Sequence, residues 1–207
     1  PMSRNEGINI HFLFNPVVVD ELEDRFFSKL SFEYNGRPYS ATKAQLISLG
    51  KALDSSLAED AAYLKGVGQF IPSVDSLKKL FSNDPELREN TIIIVSNGSN
   101  DGVTGAANNF SHIEANPSDF DATRQSIYQF VDAIFSGNPS DISYFLGEKS
   151  DSPDEVIRKC GSLKPCFHGC DAHTNAKLFE PDNQRYCWIK SDPSFNGLKQ
   201  VLYEPKD

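Results

Sequence analysis

The run Thr91–Ser96, TIIIVS, constrains the chain most. Its apolar stretch Ile92-Ile93-Ile94-Val95 is β-prone and strand-sized, far short of the ~20 apolar residues that span a bilayer. A second run, Gly7–Phe14 (GINIHFLF), reads as a buried strand. It ends at Asn15-Pro16, where proline has no N–H to give to a ladder. Pro165–His168 reads as the last strand and Ser140–Leu146 as a short one between them. Asn35-Gly36 between the aromatic residues of Phe32–Tyr39 signals a hairpin.

Helical signals fill the intervals. Leu22, Phe26 and Leu30 recur every fourth residue within Val17–Leu30. Thr42, with Gln45 as a capping-box partner, starts a helix expected to reach Lys65 and to end at Gly66 and Gly68. Ser73–Phe81 is a short helix that Asp84-Pro85 breaks, and Ser118 caps one running to Phe135. Ser152-Pro153-Asp154-Glu155 combines a capping box with proline at the first helical position, and Gly197–Tyr203 closes the chain. Strands that alternate with helices favour an α/β fold with a largely parallel sheet, open or barrel-like. With no repeat and no linker-like tract, residues 1–207 are expected to form a single domain.

Composition narrows the partners. The net charge of −9 gives no general attraction for nucleic acid or an anionic membrane, although a bound cation would dominate a local phosphate site. Cys160, Cys166, Cys170 and Cys187 are spaced C-x5-C, C-x3-C and C-x16-C, without the two-residue knuckle of common zinc sites. In a chain without a secretory signal they read as reduced thiols of a cytoplasmic protein, with a structural zinc as the competing reading.

The segment with the most chemistry is Cys166-Phe167-His168-Gly169-Cys170-Asp171-Ala172-His173, where a strand should end and a loop begin. Ligands bind at that edge of α/β folds. Asp171 and His173 are two residues apart, so both project to one side of an extended backbone. A carboxylate with an imidazole suits Zn, Mn or Fe, and the bland alternative is a satisfied polar loop.

Residues 167–190, FHGCDAHTNAKLFEPDNQRYCWIK, resemble the final metal motif of PHP (polymerase and histidinol phosphatase) domains, in which Asp-Ala-His follows a small residue. The longer pattern is similar to the branch of that family lying N-terminal to SMC-like AAA ATPases. GINIHFLFNP (7–16), IIIVSNGSNDG (92–102) and DAIFSGNPSDISYFLG (132–147) carry the same resemblance. It implies a partial, distorted (β/α)7 barrel of TIM-like type whose first strands are missing from this C-terminal portion. It further implies a divalent metal (Zn, Mn or Fe) held by Asp171 and His173, and phosphoester or nuclease chemistry on nucleic acid or nucleotides. An ATPase domain in the same chain would be the partner.

The match has departures. The family's first motif, His-x-His, is absent: the only histidines are His11, His112, His168 and His173. Asn9 stands where Gly-x-Glu would place a carboxylate, and an uncharged amide is a poorer metal ligand. His11, on the same strand side as Asn9, is either a substitute ligand or a packed histidine. His168 is either turned to metal or phosphate or simply buried and satisfied. Arg185 offers a fork for phosphate or an ordinary ion pair. Asn97, after the second strand, is a further candidate for the cleft, and its Gly-rich continuation lacks the lysine of a P-loop. A degenerate, non-catalytic scaffold and a small-molecule phosphatase are the alternative functions. Strands 7–14 and 91–96 are expected to run parallel to 165–168, so that His11 and Asn97 reach one cleft. This chain by itself is expected to hydrolyse phosphoesters poorly.

Overall fold

A computed structural model describes residues 8–97, Ala106, 117–170 and 172–206. Two compact units emerge: one contains Phe14–Thr91, and the other joins Asn5–Leu13 to Ile92–Asp207.

In the first unit, β2 (Phe32–Tyr34) and β3 (Arg37–Tyr39) pair antiparallel around the expected turn. Asn35 (φ 50°) and Gly36 (φ 74°) both take left-handed conformations, as a two-residue hairpin turn of this hand requires. Of the helix expected over 17–30, the helical part ends at Phe27 and is a 3-10 segment, Pro16–Glu21, followed by a π turn, Glu23–Phe27. The single helix expected from Thr42 is two: α1, Lys43–Leu53, and α2, Glu59–Gln69. Asp54 breaks it, because its Oδ1 accepts from the backbone N–H (3.0 Å) and hydroxyl (2.6 Å) of Ser56. Gly66 does not end α2. It packs on the Leu46 carbonyl while Gly50 packs on that of Ala62, and a Cβ at either glycine would overlap the facing backbone. Next come α3, Val74–Asn83, and α4, Pro85–Glu89. Asp84 caps α4 through Leu87 N–H (3.0 Å) and takes a two-pronged bond from Arg25 (2.5 and 2.8 Å).

The second unit is built on a four-stranded sheet of order β1-β4-β5-β6. Its strands are β1, Ile10–Phe14; β4, Thr91–Ser96; β5, Ala133–Phe135; and β6, Cys166–Phe167. β4, β5 and β6 are parallel. β1 is not. Ser96 N–H donates to Asn9 O (3.0 Å) and Asn15 N–H to Asn90 O (2.8 Å), a pairing that counts in opposite directions along the two strands. The expectation of an all-parallel arrangement is corrected here. The handedness rule for parallel crossovers governs strands joined by one helix, and a whole compact unit separates β1 from β4.

All six residues of β4 are buried. Ile92, Ile94, Ala133 and Phe167 form the core of one face, against which Leu13, Phe135 and four residues of α8 (Phe195–Tyr203), Phe195, Leu198, Val201 and Leu202, pack. Ile93, Val95 and Ile134 alternate onto the other face and are buried as completely. α5 covers Pro117–Phe130, and the expected strand 140–146 is instead α6, Pro139–Phe145. The reason is local: Asn138 accepts from Ser140 N–H (2.9 Å) and Pro139 fills the first helical position. α7, Pro153–Cys160, carries the full capping box of Ser152 and Glu155. Lys164, 3% exposed, donates to the Val131 carbonyl (2.6 Å) just past α5, where a cation complements the helix dipole.

Candidate functional site at the carboxyl edge of the parallel strands

Each parallel strand delivers polar groups to the same edge. Asn97 follows β4, Ser136 and Gly137 follow β5, and His168 follows β6. The continuing ladder holds them in register: Asn97 N–H donates to Phe135 O, and Ser136 N–H to Phe167 O, each over 3.0 Å.

Asn97 and Ser136 are buried, at 4% and 5% exposure, so their side chains need partners within the protein. Asp141, in the first turn of α6, supplies one. Its Oδ2 accepts from Asn97 Nδ2 (2.9 Å) and from Ser136 Oγ (2.7 Å). Tyr128 of α5 completes the chain by donating to Asn97 Oδ1 over 2.5 Å. Burial holds the Tyr128 phenol well above its usual range, so it remains a neutral donor. Asn97 is therefore a structural anchor at this edge.

The second cluster forms around Gly137. Arg185 donates from Nη1 to the Gly137 carbonyl (2.7 Å). A Cβ on Gly137 would meet the His168 ring at 3.4 Å and the Arg185 guanidinium at 3.6 Å, so the glycine makes room for both. His168 titrates below its ordinary value, first because burial disfavours the charged ring and then because the Arg185 guanidinium lies beside it. The Arg185 guanidinium, and not the neutral imidazole, is the group here that suits an anion, because a neutral imidazole has a single N–H to donate and is itself a common metal ligand. His168 is half-buried and hydrogen-bonded to the Arg185 backbone, as a packed and satisfied histidine would be.

His11 is not brought to Asn97. Its Nε2 lies 3.3 Å from Ser96 Oγ, and its ring meets Phe135 edge-on at 4.9 Å. Ser96 and Asn97 are consecutive and so face opposite sides of the sheet, which puts His11 on the face away from Asn97. His173 is exposed on the loop after β6. Asp171, Gly7, His112 and the Gly-rich segment 98–105 lie outside the described residues. Among the described residues no three His, Cys, Asp or Glu side chains gather as a metal site. The donor chemistry that fits a divalent metal is the carboxylate-imidazole pair Asp171 and His173. No cysteine is in a disulfide, and burial pushes the Cys166 thiol up to about 12. No helix among the described residues is long and apolar enough to cross a membrane.

Ser136, Gly137 and Asp141 escaped sequence reasoning because residues 140–146 read as a strand. The available signal was the turn chemistry of Ser136-Gly137-Asn138-Pro139, which marks a strand end and a helix start together. In comparisons with family models, curated proteins and solved structures, nothing matches the chain.

Proposed function

We propose that this chain is the phosphate-binding, carboxyl-terminal part of a metal-dependent phosphoesterase of PHP type. The observation that carries the reading is the pairing of Arg185 with His168 against Gly137, His168 standing a few residues in sequence before Asp171-Ala172-His173. A guanidinium at the carboxyl edge of parallel strands is suited to donate to phosphoryl oxygens. Asp171 and His173 would hold the divalent metal, which when bound supplies a Lewis acid. Arg185 orients the phosphate and offsets its charge, and the Asn97–Asp141–Ser136 network keeps the edge rigid. On this reading β4, β5 and β6 are consecutive strands of an incomplete distorted barrel. The antiparallel β1 departs from that plan. Nucleic acid or nucleotides are the proposed substrates and an SMC-like AAA ATPase domain the proposed partner, both on the resemblance of residues 7–16, 92–102, 132–147 and 167–190.

A non-catalytic regulatory module is the second reading, favoured by Asn9 in place of a carboxylate and by the placement of His11 on the face away from Asn97. Calorimetric titration with phenyl phosphate in the presence of Mn2+ tests the shared element, the anion site. Arg185→Ala should weaken binding about tenfold, the worth of one charge-assisted hydrogen bond. Equal affinity in the variant removes the phosphate site and with it the phosphoesterase reading.

A further inference from the structure

The segment that carries Arg185 also holds large rings out in solvent. Tyr186 is 48% exposed and Trp188, the only tryptophan of the chain, 88% exposed. An indole left this open is unusual, since tryptophan is highly buried on average. The backbone around it is unusual too. Of the four non-glycine residues with left-handed backbone among the described residues, three lie just before these rings: Phe179 (φ 64°), Asn183 (φ 58°) and Gln184 (φ 54°). Such conformations cost energy and gather where a segment grips a ligand.

Two contacts hold the segment to the sheet. Arg185 donates to the Gly137 carbonyl, and Cys187 packs against the core of Ile92, Ile94, Ala133 and Phe167. The residues that alternate with them, Tyr186 and Trp188, stand outward. Their rings lie 6.1 Å apart and are tilted by 42°, so they do not cover one another face to face.

Open aromatic faces one and three residues from a guanidinium match a flat base joined to a phosphate. Only an unpaired base offers its face, because a duplex keeps its bases stacked on each other. A chain of net charge −9 gives a duplex backbone little attraction in compensation.

We infer that Tyr186 and Trp188 form a stacking platform for an unpaired base of single-stranded nucleic acid. The inference rests on the phosphate reading of Arg185 for where the adjoining backbone runs, while the stacking contact stands on the two rings.

Trp188 fluorescence reports the contact directly, since no other indole is present. Oligothymidylate titrated into the 207-residue chain should quench it saturably. An abasic oligomer of the same length should bind about tenfold more weakly, the worth of one stacked base. By anisotropy of labelled oligothymidylate, Tyr186→Ala and Trp188→Ala should each lose about tenfold, and Tyr186→Phe should keep the affinity. Arg185→Ala separates the two readings. Weaker binding that still reaches full quench supports both, whereas unchanged affinity removes the phosphate contact and leaves the platform. No saturable quench, equal binding of the abasic oligomer, or full affinity in both alanine variants would overturn the inference. So would sedimentation showing self-association through Trp188 with oligothymidylate unbound.

Discussion

The side-chain amide of Asn97 donates to Oδ2 of Asp141 over 2.9 Å, which fastens the carboxyl end of β4 to the first turn of α6. The same oxygen takes the Ser136 hydroxyl, so β4 and β5 end on one carboxylate. A single acidic residue in a seven-residue helix thereby sets the geometry of the edge where ligands meet parallel strands.

Removing the central amide should therefore cost more than one hydrogen bond. Asn97→Ala takes a partner from the buried Tyr128 hydroxyl and one from Asp141, an expected loss of about 1–3 kcal/mol by urea denaturation. Asn97→Asp should be worse at neutral pH, where two carboxylates face each other, and recover in mild acid. A neutral effect of both changes would mean the network does not hold the edge.

His168 gives a pH signature. Its folded value is depressed from 6.5, so across the window just below 6.5 the unfolded chain binds more protons than the folded one. Stability from this group is complete above 6.5 and is lost as pH falls through the folded value. In Arg185→Ala the His168 titration, followed by NMR, should move up only part of the way, because burial is the larger cause and remains. An unmoved titration would show that the guanidinium does not sit beside the ring.

The close approach of α1 and α2 predicts a sharp intolerance. Gly50→Ala and Gly66→Ala each drive a methyl into a facing carbonyl, and each should cost about 1–3 kcal/mol despite the better helix propensity of alanine. Gly36→Ala is the contrast: no atom lies within contact, and only its left-handed backbone (φ 74°) resists, at about 1 kcal/mol. Thermal melts of the three variants rank them.

Elements specified by neighbouring residues were readable from sequence. The Asn35-Gly36 hairpin, the Ser152–Glu155 capping box and the TIIIVS strand all follow from contacts a few residues apart. The direction of β1 was not readable, because strand propensity is the same in either direction and the pairing with β4 is long-range. The helix at 139–145 was legible in Asn138-Pro139 but was masked by the β-prone Ile142, Tyr144 and Phe145. At the site, parity relates only residues along one strand. It could not show that His11 and Asn97 fall on opposite faces, since that depends on cross-strand pairing.

The phosphoesterase reading also predicts a negative. Without a His-x-His segment, the 207-residue chain with Mn2+ should turn over bis-p-nitrophenyl phosphate or single-stranded DNA barely above background. Robust Mn-dependent turnover abolished by Asp171→Ala would show a more complete site than proposed.

The central claim is that Asp171 and His173 hold a divalent metal beside His168 and Arg185. Titrating Mn2+ while following the ring signals of the four histidines tests it most directly, because the paramagnetic ion broadens the nearest nuclei first. The account predicts early, selective broadening of His173, lost in Asp171→Ala, with His11 affected later than His173. Uniform broadening of all four histidines, or selective broadening that survives Asp171→Ala, would contradict it.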